Sequence, residues 1–242
     1  MKKILNIVYF LVGVSLLVFL GFSSHENRAD ILCNSIDIRV DTKGDLFFVS
    51  AEMVQDLILE NQDSVLGKSF EDINIYLLED FVNTHPNIEK AELYLAHNGS
   101  LCVDVKQRKP IARVFEQEQS YYLDSQISPF PLSDRYSARV LQVYWTEITA
   151  GRKKILRSVL DLIEDDAFLK AQITALEFDD KDEIIMYPRV GDHKIILGKA
   201  QNIEEKFEKL KIFYRHGLEK VGWDRYSHIN LKFENQVVCT KR

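Results

Sequence analysis

Ala91-Glu92-Leu93-Tyr94-Leu95-Ala96-His97-Asn98-Gly99-Ser100-Leu101-Cys102-Val103-Asp104-Val105 reads as two strands and the turn that joins them. Ala91, Leu93 and Leu95 alternate with Glu92 and Tyr94; Leu101, Val103 and Val105 alternate with Cys102, Asp104 and Lys106. Period two with β-branched residues is a half-buried strand. Asn98-Gly99 between the two runs is the strongest short hairpin signal, because both residues tolerate positive φ.

Upstream of the hairpin the period changes. Ile75, Leu78, Phe81 and Val82 recur at helical spacing, with Ser69 and Asp72 as a capping box and Pro86 as the stop. Before a break at Leu66-Gly67-Lys68-Ser69, Ser50 can cap another helix that points Met53, Val54, Leu57 and Ile58 inward. Residues 31–40 alternate again, with Ile36, Ile38 and Val40 on one face and Asp37, Arg39 and Asp41 on the other; a turn at Lys43-Gly44-Asp45 follows. The order is strand, helix, helix, strand, strand.

Downstream, strand-like text resumes at Ala112-Arg113-Val114-Phe115. Residues 120–124 and 129–132 read as a hairpin, and residues 140–145 are another apolar stretch. Residues 154–169 carry a helix with Ile155, Val159, Leu162 and Ile163 inward. Three strands follow at 175–178, 183–187 and 194–197. Next comes a helix bearing Ile203, Phe207, Leu210 and Tyr214 and ended by Gly217. A last strand is expected over residues 226–238, with Ile229, Leu231 and Phe233 on one face and Asn230, Lys232 and Glu234 on the other.

The N-terminus is different in kind. After Lys2-Lys3, residues 4–22 form an uncharged apolar run that includes Ile4, Leu11, Leu16 and Phe22. At ~1.5 Å per residue it spans about 28 Å as a helix, close to the ~30 Å hydrocarbon core. Lysines before the run and Ser23-Ser24-His25-Glu26 after it place the N-terminus in the cytoplasm and export the rest. A cleaved secretion signal is the alternative, although its apolar core is usually shorter, at ~7–15 residues. Both readings export the soluble part.

At 242 residues the chain has room for two small domains, and 46 % hydrophobic residues suffice for real cores. The net charge of -6 and the absence of basic runs disfavour nucleic-acid binding. Cys33, Cys102 and Cys239 fit no metal or redox spacing. A Cys33–Cys102 bridge is conceivable, and three small apolar side chains is the plainer reading.

The strand-helix-helix-strand-strand order resembles a POTRA domain, as does the wording Leu66-Gly67, His85-Pro86-Asn87-Ile88 and Arg108-Lys109-Pro110-Ile111-Ala112. Further pieces are Tyr122-Leu123-Asp124, Tyr187-Pro188-Arg189-Val190-Gly191, Ile196-Leu197-Gly198 and the terminal Ile229-Asn230-Leu231-Lys232-Phe233-Glu234-Asn235-Gln236-Val237-Val238. With these, nearly the whole chain resembles the FtsQ/DivIB cell-division family in its Bacteroidetes-like form. One departure stands out: Ser125-Gln126-Ile127-Ser128 replaces a stretch that usually holds a glycine.

The expected fold class is α+β, in five parts: a cytoplasmic tail (1–3), a transmembrane helix (4–22), a linker (23–30), a POTRA domain (31–108) and a second α+β domain (109–242). The second domain is expected to be built on a mostly antiparallel sheet with an exposed C-terminal edge strand. The resemblance implies a non-catalytic, cofactor-free scaffold of the inner membrane at the division septum. Its partners would be FtsB- and FtsL-like bitopic proteins, and it would link early division components to septal wall synthesis. Partner-binding candidates are Ile229, Leu231, Lys232, Phe233, Glu234 and Asn235; a plain core role is the competing reading for Ile229 and Leu231. The alternative function is a POTRA-bearing export or outer-membrane assembly component. No phosphate loop, HExxH, GxSxG or CxxC motif is present. A His216–His228 metal pair is a remote option. The carboxylates at Glu164-Asp165-Asp166 and around Asp179-Asp180 read as solvated loops rather than an acid–base pair.

Overall fold

The Asn98-Gly99 turn closes a hairpin. Gly99 sits at φ 86, its N–H donates to the Ala96 carbonyl, and the Ser100 N–H donates to Asn98 Oδ1. It joins β2 (Ile88–Leu95) to β3 (Ser100–Gln107), which pair antiparallel. β1 (Ser35–Asp41) lies parallel to β3 on its other side, with Arg39 opposite Asp104. The three-stranded order β1-β3-β2 puts the most buried strand in the middle. Helices α1 (Ala51–Asn61) and α2 (Ile75–Asn83) bury Val54, Ile58, Leu78 and Val82, and Ala91, Leu93, Leu101, Val103 and Val105 are buried on the sheet.

The structure, a computed structural model, describes residues 12–16, 18, 19, 31–61 and 65–242. The chain divides into two units, Met1–Arg108 and Lys109–Arg242. Ile4, Leu11 and Phe22 of the expected membrane span lie outside the described residues, as do the tail and the linker. Residues 12–16, 18 and 19 are helical, and Leu16 among them is exposed. Among the described residues no helix is long and apolar enough to cross a membrane.

Local chemistry in the first unit differs from the expectation in one place. Ser50 Oγ accepts from the Met53 N–H and so caps α1. The second helix, however, begins later than the Ser69 capping box. Its N-cap is Asn74, whose Oδ1 accepts from the Leu77 N–H, while Ser69 Oγ accepts from the Glu71 N–H in a preceding turn. Gln107, almost fully buried, ties down the long β1–α1 connection. Its Oε1 takes the Val49 N–H, and its Nε2 donates to the carbonyls of Asp41 and Leu46. The three cysteines are free, so Cys33 and Cys102 form no bridge.

Among the described residues the second unit carries one nine-stranded sheet, ordered β12-β11-β10-β9-β8-β7-β4-β5-β6. The strands are β4 (Pro110–Glu116), β5 (Gln119–Asp124), β6 (Pro129–Pro131), β7 (Leu141–Trp145), β8 (Ile173–Phe178), β9 (Ile184–Pro188), β10 (Lys194–Gly198), β11 (Tyr226–Asn230) and β12 (Val238–Lys241). The sheet is mixed, more so than expected. β4–β7, β7–β8 and β10–β11 are parallel, and the other neighbours are antiparallel. The reason is connectivity. Parallel neighbours need a long crossover connection, usually a helix; between β4 and β7 it is made by β5, β6 and the stretch after them. α3 (Ala150–Asp165) and α4 (Ala167–Gln172) separate β7 from β8, and α5 (Ile203–Phe213) with its extension separates β10 from β11.

Two helix boundaries also move. Asp166 splits the helix expected over 154–169, because its carboxylate caps α4 through the N–H groups of Phe168 and Leu169. Leu156 and Leu160 join Val159 and Ile163 in the core, whereas Ile155 and Leu162 lie at its margin. Gly217 does not end α5. A π-helical turn, Tyr214–Leu218, and a short α6 (Glu219–Val221) continue it to Gly222, at φ 89. Gly217 is required for another reason: a Cβ there would meet the Phe213 ring at 2.9 Å.

The hairpin that lacks the usual glycine keeps its turn. Asp124 Oδ1 accepts from the Gln126 and Ser128 N–H groups, and Ile127 takes φ 56. A β-branched residue there carries strain of about 1–3 kcal/mol, which the burial of Ile127 in the core offsets.

Candidate functional site

Residues 226–242 form the outer end of the nine-stranded sheet. β11 is central rather than terminal: it pairs parallel with β10 and antiparallel with β12, with Ile229 opposite Cys239 and Asn230 opposite Val238. The single strand expected over 226–238 is therefore a hairpin, and β12 is the edge. The chain leaves β11 because Asn230 Oδ1 captures the Lys232 N–H and Asn235 adopts φ 56. Both are turn-forming roles that Asn performs well.

This redistributes the six candidate residues. Ile229 and Leu231 are fully buried and belong to the core cluster; the Leu231 N–H still donates to the Ile196 carbonyl. Lys232, Phe233, Glu234 and Asn235 lie on the connecting turn, all exposed. Phe233 is 44 % exposed and Val238, at the start of β12, 40 %. Val237 and Cys239 beside them are partly buried against the core. Burial pushes the Cys239 thiol up from its ordinary range, so it acts as a neutral apolar group. Cys239, Thr240 and Lys241 were missed at the sequence level because a strand was read straight through the turn.

Lysines hold the turn in place. Lys209 on α5 donates to the Phe233 carbonyl at 2.7 Å, and Lys232 pairs with Glu183 at 3.0 Å. Gly198, at φ 73, makes room for the Lys232 stem, since a Cβ there would lie 2.5 Å from Lys232 Cδ. Lys206 donates to the Lys199 carbonyl, and burial together with nearby Lys209 lowers its pKa. The outcome is a short edge strand with no strand paired to its outer side among the described residues, exposed Phe233 on the turn before it, exposed Val238 at its start, and lysines bracing the turn.

The other candidate chemistry resolves into structural roles. Asp166 caps α4 and pairs with Lys211 at 2.7 Å, which holds its carboxyl below the usual range; Glu164 pairs with Lys170. Asp179 accepts the N–H groups of Lys181 and Glu183 in the β8–β9 turn. Asp182 pairs with Arg152 at 2.7 Å. His216 lies exposed on the π turn and His228 beside Ser227. Among the described residues no group of three or more His, Cys, Asp or Glu side chains is placed to hold a metal ion.

Comparison with known proteins matches this division of the chain. Residues 109–240 match the family "FtsQ/DivIB, C-terminal related", and residues 31–106 match the POTRA-like domain. A relative, the cell division protein FtsQ of Salinibacter ruber, is 28 % identical over 192 residues, 73 % of each chain. The chain belongs to the FtsQ/DivIB family, with a POTRA-like domain ahead of the family's C-terminal domain.

Proposed function

We propose that this protein is a non-catalytic, single-span scaffold of the division septum. It is held in the inner membrane by residues 4–22, with its bulk in the periplasm, and captures FtsB- and FtsL-type bitopic partners there. In this way it connects early division components to the machinery of septal wall synthesis. Family membership supplies the setting, and the open edge of β12 beside Phe233 is the observation that carries the mechanism.

An extended partner segment adds to β12 as a further strand. Main-chain hydrogen bonds to the unpaired N–H and C=O groups give affinity, and alternate side chains give specificity. Phe233 and Val238 supply the apolar contact. Glu234 and Asn235 shape the turn at one end of the added strand, and Lys232 keeps that turn in register through Glu183. Ile229 and Leu231 contribute from beneath, as the core on which the edge rests.

The test is a pull-down of the tagged full chain from gently solubilised membranes, in wild type, Phe233→Glu and Val238→Glu forms. Each substitution is on an exposed side chain and leaves the fold intact. FtsB- and FtsL-like proteins accompany the wild type and are lost with either variant. Retention by both variants would move the site off β12. Recovery of outer-membrane assembly factors in place of division proteins would overturn the division role itself.

A further inference from the structure

The three-stranded sheet has two outer edges, and they are treated differently. On β2 the edge is closed from within. The Asn83 side-chain amide stands in for a neighbouring strand: its Oδ1 accepts from the Ala91 N–H at 2.7 Å and its Nδ2 donates to the Ala91 carbonyl at 3.2 Å. Glu79 takes the Leu93 N–H at 2.9 Å. On β1 only the flanks are held: just before the strand the Cys33 N–H donates to the Lys68 carbonyl and the Gly67 N–H to the Cys33 carbonyl, and at its end Gln107 Nε2 donates to the Asp41 carbonyl. Among the described residues no strand pairs with its outer side, and Ile36, Ile38 and Val40 are left half-buried.

We propose that β1 is a self-association edge, at which two copies pair antiparallel through Ser35–Asp41 about a two-fold axis at Ile38. The charge pattern selects that register. Centred on Ile38, Asp37 of each copy faces Arg39 of the other, Ile36 faces Val40, and Ile38 faces itself. Shifting the centre to Asp37 sets Asp37 against itself, and shifting it to Arg39 sets Arg39 against itself and Asp37 against Asp41. Like charges directly opposite are unfavourable and opposite charges favourable. These three registers keep both copies' apolar residues on one side of the joined sheet, because directly opposed residues share a face. The result is a six-stranded sheet with Ile36, Ile38 and Val40 of both copies continuous across the junction.

Asp37 and Arg39 both lie on the exposed sheet face. Arg39 pairs with Asp104 on β3 at 2.9 Å and also contacts the Tyr94 hydroxyl on β2, so within one copy its guanidinium lies across its own sheet. Asp37, exposed, makes no hydrogen bond or ion pair among the described residues. Across the axis it supplies a second carboxylate to the Arg39 of the other copy. A β2 edge closed by side chains and a self-complementary β1 with no strand paired to its outer side among the described residues point to a second copy of this chain as the occupant.

The test uses the full chain in mild detergent, by sedimentation at low and high salt, with circular dichroism confirming that every form is folded. Wild type shows a concentration-dependent dimer that weakens with salt. Asp37→Arg and Arg39→Asp each change two cross-axis pairs, so each weakens the dimer at least ~10-fold. Mixed in equal amounts, the two variants pair with each other, since every cross-axis contact is again between opposite charges. Dimer restored only in the mixture establishes the edge and the register. Overturning outcomes are a wild type that stays monomeric at every soluble concentration, variants that dimerise as well as wild type, and a mixture no stronger than its components.

Discussion

Arg152 offers the sharpest stability test, because this residue, only 6 % exposed, has the partners of its guanidinium on one turn and one helix start. Its Nε donates to Asp182 Oδ1 at 2.7 Å, Nη2 to the Asp179 carbonyl at 2.9 Å, and Nη1 to the Glu147 carbonyl at 3.0 Å and to Thr146 Oγ1 at 3.3 Å. Asp182 is half-exposed, so water recovers most of what the carboxylate loses and the charge pair itself contributes little. The larger cost of truncation lies in the two backbone carbonyls. Each loses its donor at about 1–3 kcal/mol if shut off from water, less where water reaches it. The lost packing of the Arg stem adds to this. Arg152→Ala should therefore cost about 3 kcal/mol and Arg152→Met about 2 kcal/mol. For a unit of this size, 3 kcal/mol lowers Tm by about 10 °C. Asp182→Asn tolerates φ 58 and removes only the charge, so it should cost under about 1 kcal/mol. Both tryptophans, Trp145 and Trp223, lie in the second unit, so their fluorescence during urea unfolding of the full chain reports that unit alone. If Arg152→Met is as stable as wild type, or Asp182→Asn is as damaging as Arg152→Ala, the attribution to the carbonyls is wrong.

Two further outcomes are expected. Burial and the Arg242 charge lower the His193 pKa, outweighing the raising effect of Asp192 and Asp224; the residue is 1 % exposed and its Nε2 is hydrogen-bonded to the Tyr214 hydroxyl at 2.6 Å. With the folded pKa below the unfolded value, the unfolded state binds more protons. The His193 contribution is then full above about pH 6.5 and falls as pH drops below it, by up to ~1.4 kcal/mol per pH unit. Tryptophan-monitored unfolding of wild type and His193→Gln between pH 5 and 8 reads it, and equal pH slopes would dismiss it. In the first unit, Asn83→Ala should cost about 1–2 kcal/mol and, by opening the β2 edge, increase light scattering on heating; unchanged scattering would show that the edge needs no cover.

Much of the first unit was legible because its signals are local. Asn98-Gly99 defines the hairpin by its own conformational preference, and the alternation on either side is short enough to have one reading. The capping of α2 by Asn74 rather than Ser69 shows the limit: two capping residues five positions apart compete, and only packing of Leu78 and Val82 decides between them. In the second unit the elements were legible but their pairing was not. The parallel neighbours are set by how the crossovers return the chain to the sheet, through α3 and α4, through α5, and through β5 and β6 between β4 and β7, which no local pattern encodes. The candidate site suffered most. Ile229, Leu231 and Phe233 keep period two across the end of β11, so the apolar pattern hides the turn; the signal against it was Asn230 and Asn235, both turn formers. Gln107, Asn83 and Arg152 act through long-range hydrogen bonds and carried no sequence signal at all.

The four outer edges of the two sheets bear on both proposals. An edge strand invites unwanted pairing, and proteins answer with prolines, charges, bulges or cover. β6 has the proline answer: Pro129 and Pro131 flank Phe130, so two of its three residues have no N–H to offer. β2 has the cover, from Asn83 and Glu79. β1 and β12 have neither, and what they have instead is not simple protection. Charges guard an edge when a partner's edge must meet them unpaired. On β1 the sequence Asp37, Ile38, Arg39 cancels its own charges when met by itself, and on β12 Val238 and Phe233 stand exposed without a charge between Val238 and Lys241. Among the described residues each sheet thus closes one edge by a specific device and leaves the other without a paired strand. A general tolerance of open edges would predict no such asymmetry, whereas one reserved strand position per sheet, β1 for a second copy and β12 for a different chain, requires it.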